Sequence, residues 1–547
     1  MILHLADRDP ATLLDTDVCV IGAGAAGLAI AHELLGSRNR VLVLESGDSA
    51  RSEECDALNE ARSVGVPHSG AVDGRARVLG GATTAWGGQL IPLRESETRA
   101  RPWVPGSGWP FGPETLEPYY RRVERLLAVE GPPYDERTWH RLGVAPPPLD
   151  RDRFVYRFSQ WAPLSRRNLA LLTRGAIAKS RNVDVLLRAT ATDLASSADG
   201  RHVDHVAAKD AAGRAFRVVA RVYVVCCGGI ETPRLLLASR SARGIANSSG
   251  TVGRYFQDHI SLVAAEIPST SRAAIRRYFA PRYRRGTMYT CKIEPADRTL
   301  AAHELLNVMA HVKFEIADAL GLLEVKRMLR NVQEGRLPVP SLRSAAALAR
   351  GSVELARLAF ARAVLSRRAA PSRGRLRLVV DVEQAPNKDS RILLGSETDR
   401  YGMPKAVVDW RLTGQEHDTL KRFTALLAAD WSHAGLGTLE LAGEPDFDAR
   451  DVLGAARDIY HHMGAARMSD DPCNGVVNRD LRCHDVDNLY LASSAAFPAG
   501  GIANPTFTLL ALALRLADHL ERSLGGDVSG WESPAESRRA RDEEATC

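Results

Sequence analysis

The first fifty residues place apolar runs and a helical stretch in the order of a β-α-β unit. Residues 18–21 form a short, β-branched, apolar run, which predicts a strand buried on both faces, as in a parallel sheet. Residues 25–35 are rich in alanine and leucine and predict a helix, and residues 41–44 predict a second buried strand. The chain is therefore expected to open with a parallel sheet covered by helices.

Further along, the apolar pattern changes and divides the chain. Residues 182–239 return to short strands, whereas residues 261–450 alternate strands such as RLRLVVDVEQ and AVVDWRL with helices. The predicted class is α/β, with a Rossmann-like domain that is discontinuous in sequence and a second domain with a mostly antiparallel sheet flanked by helices. The predicted boundaries are 1–260 for the first domain, 261–450 for the second, 451–524 for a return to the first through a strand at 489–492 and a helix at 507–520, and 525–547 for a polar, disordered tail.

Three glycines follow the first strand with the spacing G-x-G-x-x-G. Gly22 would permit a tight turn, Gly24 a close approach of the backbone to a pyrophosphate, and Gly27 close packing of helix on strand. The N–H groups at the start of the helix at 25–35 would favour the negative charge of the pyrophosphate. Glu45, at the end of the second strand, can accept the hydroxyls of an adenosine ribose. A glycine turn without a ligand is the alternative. Strand, glycines, helix, second strand and acidic residue nevertheless follow one another in the order of a dinucleotide site.

Composition narrows the class of protein. A chain of 547 residues is too long for one simple hydrophobic core and suggests two domains. A content of 45% hydrophobic and 25% charged residues is typical of globular proteins in water. The net charge of +6 is small, and no aromatic-interleaved basic motif predicts nucleic-acid binding. The eight cysteines lack framework or C-x-x-C spacing, which argues against disulfides and a metal site and favours a reducing compartment. With neither a signal-peptide pattern nor an apolar run of membrane-spanning length, a cytoplasmic location is expected.

Residues 320–375 have an unusual charge balance. They hold many more Lys and Arg residues than acids, within helical stretches rich in Ala and Leu. A basic amphipathic helix can lie on an anionic membrane surface, which is one interpretation. The favoured interpretation is a pair of surface helices whose Arg side chains face water.

The segment 460–520 carries the most informative polar residues. It reads YHHMGAARM and later NLYLASSAAFPAGGIANPTFTLLALALRLADHL. It places a histidine pair, His461 and His462, and the Asn-Pro-Thr that begins at Asn504, ahead of an apolar helix. Histidine suits general acid–base chemistry because its unperturbed pKa lies close to neutral pH.

Together with the N-terminal glycines, these segments resemble the glucose–methanol–choline (GMC) family of flavin-dependent oxidoreductases. The motifs are GGATTAWGG at 80–88, CCGGIETPRLLLAS at 226–239, VGRYFQDH at 252–259, EQAPNKDSRILL at 383–394, YHHMG at 460–464, and NLYLAS with ANPT near the C-terminus. The Asn-Pro-Thr and the GMP in DRYGMPKAVVDW resemble the pyranose-oxidase branch and nearby bacterial sugar and alcohol dehydrogenases. The resemblance implies bound FAD and oxidation of a CH-OH group by hydride transfer to the flavin.

The resemblance also assigns the catalytic positions. His461 is expected to be the base, so the rate of flavin reduction is expected to rise with pH through one group near neutrality. Asn504 matches the family's second catalytic position, which is His or Asn, and its amide can hold the substrate oxygen and stabilise developing alkoxide charge. His462 is the competing base, although the family register favours His461. His259 belongs to a motif that the family uses structurally near the flavin, and His484 is expected at the surface.

The same resemblance predicts how the cofactor is held. In some relatives a histidine before the Trp of the Gly-rich segment is linked covalently to the flavin. Here that position is Ala85, so FAD is expected to be noncovalent. The expected contacts are Gly81, Thr84, Trp86, Gly87 and Gly88 to the flavin ring and pyrophosphate, Ala191 to the adenine, Ser493 and Ser494 to the pyrophosphate and ribityl chain, and Pro505 and Thr506 to the pyrimidine edge.

Other functions stay open on the sequence alone. A pyridine-nucleotide dehydrogenase would use the same glycines, but it leaves GGATTAWGG and the C-terminal return unexplained. A flavin-fold binding subunit without turnover, or a lyase or isomerase reaction on flavin, would also fit the fold. The implied partner is a small alcohol or carbohydrate, and the electron acceptor is open between dioxygen and another oxidant.

Overall fold

The chain folds around three sheets in a computed structural model that describes residues 1–239, 244–315, 320–336, 374–442 and 457–525, with a few positions between 345 and 352. The predicted tail beyond Gly525 and most of the basic segment beyond residue 336 lie outside the described residues. The strands are, in chain order, β1 Ile2–His4, β2 Leu14–Ile21, β3 Val41–Glu45, β4 Ala61–Gly65, β5 Gln89–Leu90, β6 Phe154–Trp161, β7 Val183–Leu187, β8 Thr190–Ser196, β9 Val203–Lys209, β10 Ala215–Val225, β11 Ile260–Ile267, β12 Arg282–Arg284, β13 Thr287–Pro295, β14 Val308–Phe314, β15 Leu376–Val382, β16 Arg391–Thr398, β17 Pro404–Trp410, β18 Glu440–Leu441, β19 Arg457–Asp458 and β20 Leu489–Leu491. The helices are α1 Ala25–Glu33, α2 Glu53–Asp56, α3 Glu95–Thr98, α4 Glu117–Leu127, α5 Arg137–Arg141, α6 Leu169–Lys179, α7 Gly228–Ala238, α8 Arg272–Phe279, α9 Asp297–Ala302, α10 Leu320–Gln333, α11 Gln415–His433 and α12 Pro505–Leu524.

The first sheet has eight strands in the order β1-β7-β3-β2-β10-β9-β8, with β20 beside the end of β10. Strands β1, β7, β3, β2, β10 and β20 run parallel, and β9 and β8 add an antiparallel edge. β20 pairs with β10 through Tyr223 and Leu489, residues more than 250 positions apart in sequence. The predicted Rossmann-like domain, discontinuous in sequence, is therefore confirmed.

Helices α1, α6, α4 and α12 pack together on the core of this sheet. α12 begins at Pro505, two residues before the predicted start, because proline is well accommodated in the first turn of a helix. α7 begins at Gly228 and contains Pro233, whereas the sequence predicted a start near Thr232. Every helix in the described part of the chain is too short or too polar to cross a membrane.

The second sheet has nine antiparallel strands in the order β18-β11-β15-β14-β13-β6-β5, with β12 beside β13 and β19 beside β11. This confirms the predicted antiparallel sheet, but β5 and β6 come from within residues 1–260. The two domains thus interleave in sequence more than the predicted boundaries allow. The predicted strand in AVVDWRL is β17, which lies in a separate three-stranded sheet with β4 and β16.

Candidate active site

A cleft lies at the carboxyl ends of the parallel strands. β2 ends at the turn with Gly22 and Gly24, β3 ends at Glu45, β10 leads into the start of α7, and β20 leads into Ser493. The short helical turn Gly81–Thr84 and the start of α12 also contribute to its lining. Open α/β sheets bind their ligands at this edge, because the strand ends and helix starts converge there.

The glycines of the first turn fit a dinucleotide. Gly22 has a φ of +103°, and a Cβ atom there would lie 2.8 Å from the carbonyl oxygen of Cys226. A Cβ atom on Gly27 would lie 1.9 Å from the carbonyl oxygen of Gly22, so only glycine allows this packing of helix on strand. A Cβ atom on Gly24 would meet no protein atom within 4 Å, so this backbone faces the cleft at the start of α1. The turn therefore has the form that a pyrophosphate requires.

Glu45 has a second role that its sequence position did not reveal. Its Oε2 atom accepts the N–H of Ala23 at 2.8 Å, and its Oε1 atom accepts the N–H of Gly47 at 2.7 Å. The side chain is buried, and this burial raises its pKa. A carboxylate has further lone pairs for ribose hydroxyls. Glu45 therefore both lines the cleft and fixes the glycine turn.

Most of the predicted cofactor residues line this cleft: Gly22, Gly24, Glu45, Gly81, Trp86, Ala191, Ser493, Ser494, Pro505 and Thr506. The other residues of the Gly-rich segment hold its shape. Thr84 donates its hydroxyl to the carbonyl oxygen of Gly81 at 2.8 Å. A Cβ atom on Gly87 would lie 2.9 Å from the ring of Trp161, and one on Gly88 would lie 2.9 Å from Arg167.

His461 lies in this cleft with hydrogen-bond partners on both ring nitrogens. Its Nδ1 atom is 2.8 Å from Nδ1 of His259, and its Nε2 atom is 3.2 Å from Nδ2 of Asn504. Its backbone N–H donates to Oδ1 of Asp258 at 2.9 Å. The same carboxylate oxygen accepts the N–H of His259 at 2.7 Å, so one buried Asp holds both histidine backbones.

These contacts define the protonation of the two imidazoles. Nε2 of His259 lies 2.8 Å from the carbonyl oxygen of Gly501, so this nitrogen must carry the hydrogen. In its neutral form, His259 then accepts at Nδ1 the hydrogen donated by Nδ1 of His461. The remaining lone pair of His461 lies on Nε2, next to the amide of Asn504. His461 is thus a neutral imidazole whose tautomer is set by its contact with His259.

The buried surroundings keep His461 neutral. Burial, the nearby His259 and Lys292 together lower its pKa from 6.5 to about 3, although Asp381 acts in the opposite direction. The sequence predicted a base that titrates near neutrality, and burial corrects that prediction. A lowered pKa leaves the imidazole unprotonated, with its lone pair free of a proton, throughout the neutral range.

His462 has a different environment. It also borders the cleft, but its ring lies 5.5 Å from that of His68 and stacks at 6.2 Å on Phe256. Its carbonyl oxygen accepts the hydroxyl of Ser494 at 2.7 Å. Burial lowers its pKa well below 6.5. These contacts are those of a packed ring, which supports His461 as the base.

Glu97 is a buried residue of the site that no sequence motif indicated. Its Oε1 atom accepts the N–H groups of Ile502 and Ala503 at 2.7 and 2.8 Å, immediately before Asn504. Its Oε2 atom accepts from Nη1 of Arg157 at 3.0 Å, and the guanidinium lowers the pKa of the carboxyl. Glu97 therefore fixes the turn that presents Asn504, although the two lie more than 400 residues apart in sequence. Only its complete burial distinguishes this acid from a surface residue.

Family models match both halves of this arrangement. The model described as FAD dependent oxidoreductase matches residues 17–312, which is more than half of the chain. The model described as GMC oxidoreductase matches residues 386–513, which include His461 and Asn504. The chain belongs to the FAD-dependent oxidoreductases of the GMC family.

Several characterised relatives align over nearly the whole chain. The 6'''-hydroxyparomomycin C oxidase of Streptomyces lividus is 26% identical over 93% of this chain and 92% of its own length. The 2-methyl-1,2-propanediol dehydrogenase of Mycolicibacterium austroafricanum is 24% identical over 95% of this chain and 98% of its own length. The fructose dehydrogenase large subunit of Gluconobacter japonicus is 23% identical over 93% of this chain and 98% of its own length.

Solved structures share the fold. Formate oxidase from Aspergillus oryzae RIB40 superposes with a TM-score of 0.56 at 17% identity, covering 94% of this chain and 99% of that protein. A pyridoxine 4-oxidase superposes with a TM-score of 0.54 at 16% identity, covering 92% of this chain and 98% of that protein. The interleaved arrangement of two sheets is therefore a known flavoenzyme fold.

Proposed function

We propose that this protein oxidises a CH-OH group of an alcohol or carbohydrate to a carbonyl, with His461 as the base. The observation that carries this proposal is the lone pair on Nε2 of His461. This nitrogen lies in the cleft that fits a dinucleotide, and the contact with His259 fixes its tautomer. Oxidation of an alcohol requires removal of one hydroxyl proton and one hydride, and a neutral imidazole performs the first task.

The surrounding residues supply the other requirements. FAD, when bound, supplies the acceptor for the hydride. Gly22 and Gly24 would hold its pyrophosphate, and Glu45 its ribose, at the carboxyl ends of the parallel strands. When a substrate hydroxyl donates to Nε2 of His461 in place of the Asn504 amide, that amide can donate to the substrate oxygen as negative charge develops there. Both side chains are half-buried, and reduced contact with water strengthens these interactions.

We further propose that the FAD is noncovalent. Support comes from Ala85, whose methyl group cannot form the link that a histidine forms at the matching position in some relatives. Acid precipitation should release all yellow chromophore into the supernatant. Flavin that stays with the precipitated protein would contradict this proposal, and peptide mapping would then identify the linked residue.

Anaerobic bleaching of the bound flavin tests the reaction itself. The panel should contain hexoses, methyl hexosides, amino sugars and simple alcohols, since relatives are named as oxidases or dehydrogenases of such compounds. We expect at least one class to bleach the flavin in the wild-type protein. If none does while FAD is bound, the protein is a binding subunit or catalyses a non-oxidative reaction. Reoxidation in air, compared with a quinone or a dye, then identifies the electron acceptor.

A further inference from the structure

The two faces of the nine-stranded sheet differ in chemistry. Leu378, Val380 and Val382 of β15 and Cys291 and Ile293 of β13 belong to one apolar core. Because side chains alternate along a strand, the residues between them lie on the opposite face. On that face three adjacent strands carry ionisable side chains, and none of these takes part in the proton transfer described above.

These side chains form one cluster, the triad Lys292, His311 and Asp381. The pairing of Ile293 with Ala310 sets Lys292 on β13 opposite His311 on β14. Nδ1 of His311 lies 3.4 Å from Oδ2 of Asp381 on β15. The triad therefore runs across β13, β14 and β15 as a continuous polar strip in a buried part of the sheet.

Lys292 stands apart from its neighbours on the same face of β13. Thr290 accepts the indole N–H of Trp161 at 2.9 Å, and Glu294 pairs with Arg157 at 3.1 Å. Lys292 is 4% exposed, and its ammonium has no hydrogen-bond or ion-pair partner among the residues that the structure describes. The charge of the nearby Asp381 acts on Lys292, and the ammonium keeps its hydrogens for a ligand that accepts them.

The triad lies on the His461 side of the sheet. Asp381 pairs with Ser261 of β11, and Ser261 follows His259 by two residues, which is one repeat of the alternation along a strand. The ring of His259 contacts that of His461. The charges of Lys292 and Asp381 both act on the pKa of His461, in opposite directions. The strip therefore lies on the same face of the sheet as His259, the residue that contacts His461.

The chemistry of the triad selects the ligand. Lys292 only donates hydrogen bonds, whereas the ionised Asp381 only accepts them. A hydroxyl group does both, so hydroxyls on adjacent carbons match a donor and an acceptor side by side. A protonated amine would be attracted by Asp381 but repelled by Lys292, and a carboxylate the reverse, whereas neutral hydroxyls pair with both groups without repulsion.

We propose that Lys292 and Asp381 bind the distal hydroxyls of a neutral polyhydroxylated substrate, such as a hexose or a methyl hexoside, while His461 takes the proton at the reacting carbon. This inference rests on the proposed function and names its substrate class. The reacting hydroxyl contacts His461 and Asn504, and the distal hydroxyls accept from Lys292 and donate to Asp381. His311 orients Asp381 from the neighbouring strand.

The test compares substrates with and without distal hydroxyls. Stopped-flow flavin reduction is measured with the best hexose or methyl hexoside of the panel and with cyclohexanol, a ring that bears one hydroxyl. Lys292→Met and Asp381→Asn should each lower kcat/KM for the sugar by roughly 10- to 100-fold, as expected for loss of a charge-assisted hydrogen bond. For cyclohexanol the change should stay within about twofold. The control Lys313→Met alters an exposed lysine of β14 that lies near Glu315, so it should leave both substrates unchanged.

The outcomes separate this inference from the proposed function. A wild-type flavin that no alcohol of either class reduces overturns both. Reduction by cyclohexanol but by no sugar overturns the triad alone, and so does an equal loss for both substrates in the two variants. A preference for a protonated amino sugar that only Asp381→Asn removes would show that the site binds a cation. Melting temperature and flavin content of each variant identify a general loss of fold, in which case Lys292→Gln and Asp381→Ser replace them.

Discussion

The two sides of the cleft are built from different parts of the chain. On the FAD side, the contacts are made mainly by backbone: Gly22, Gly24 and the start of α1 lie within a few residues of one another. On the side proposed to bind the substrate, the contacts join side chains from distant segments, such as His259, His461 and Asn504. A backbone site is therefore encoded as a local motif, whereas a side-chain site depends on how strands and turns meet.

The largest expected effect falls on the substrate side. His461→Ala should lower the rate of flavin reduction by roughly 10²–10⁴-fold, the usual contribution of a general base. FAD should remain bound, because the glycine turn is untouched. His462→Ala is the matched control, and it should cost much less in rate because its ring is packed against His68 and Phe256. A near-normal His461→Ala together with an inactive His462→Ala would show that His462, and not His461, is the base.

Asn504→Ala should have the next largest effect on the rate of flavin reduction. Its loss removes the amide beside Nε2 of His461 and one donor to the developing alkoxide, which typically costs about 10²–10³-fold. Single-turnover reduction at saturating substrate measures this effect on the chemical step. Asn504→Asp offers a sharper comparison, because its carboxylate keeps the shape of the side chain but cannot donate. If Asn504→Asp retains the wild-type rate, the proposed donor role is excluded.

Two alanine substitutions separate binding from folding on the FAD side. At Gly24 an added methyl group meets no protein atom, so Gly24→Ala should fold normally. The methyl group should weaken FAD binding by about 1–3 kcal/mol, which is roughly 5- to 150-fold in Kd. At Gly27 the same methyl group meets the carbonyl oxygen of Gly22 at 1.9 Å, so Gly27→Ala should lower the melting temperature of the apoprotein. Flavin titration and thermal unfolding of both apoproteins check this pair. Equal stability with equal flavin affinity would contradict the assignment of the turn.

Glu45→Ala should affect both FAD binding and folding, because Glu45 lines the cleft and also holds the glycine turn. It should weaken FAD through the lost ribose contacts and also loosen the turn, since Ala23 and Gly47 lose their acceptor. Each lost hydrogen bond to a charged group is worth about 1.5–3 kcal/mol at most. The rate of reduction per bound flavin should change little. An unchanged FAD affinity would show that Glu45 serves the turn only.

The smallest effect is expected from pH. His461 acts as a base when it is neutral, and its pKa is lowered to about 3. The rate of flavin reduction should therefore be flat between about pH 6 and 8 and fall only in acid. The same shift makes folding pH-dependent, because the unfolded imidazole binds a proton more readily. Its contribution to stability is complete above pH 6.5 and is lost as the pH falls towards 3. A rate that rises with pH through neutrality would contradict the lowered pKa of His461 and support the ordinary value expected from the sequence.

The sequence by itself determined the fold class, the glycine turn and the family. The apolar run before Gly22, the spacing of the three glycines and the return through β20 and α12 are local patterns with a direct physical meaning. Family resemblance then selected His461 and Asn504, which the structure brings to 3.2 Å of each other. Local patterns sufficed here because secondary structure and helix-start sites depend on neighbouring residues.

Only the tertiary structure decided how His461 and Asn504 are held and which face of the second sheet lies towards them. Glu97 fixes the turn before Asn504 from more than 400 residues away, and β6 joins a sheet whose other long strands come later in the chain. Lys292 and Asp381 lie in unremarkable strands until the register aligns them with His311. Register, burial and the pKa of His461 are properties of packed neighbours, and residues distant in sequence become neighbours only on folding.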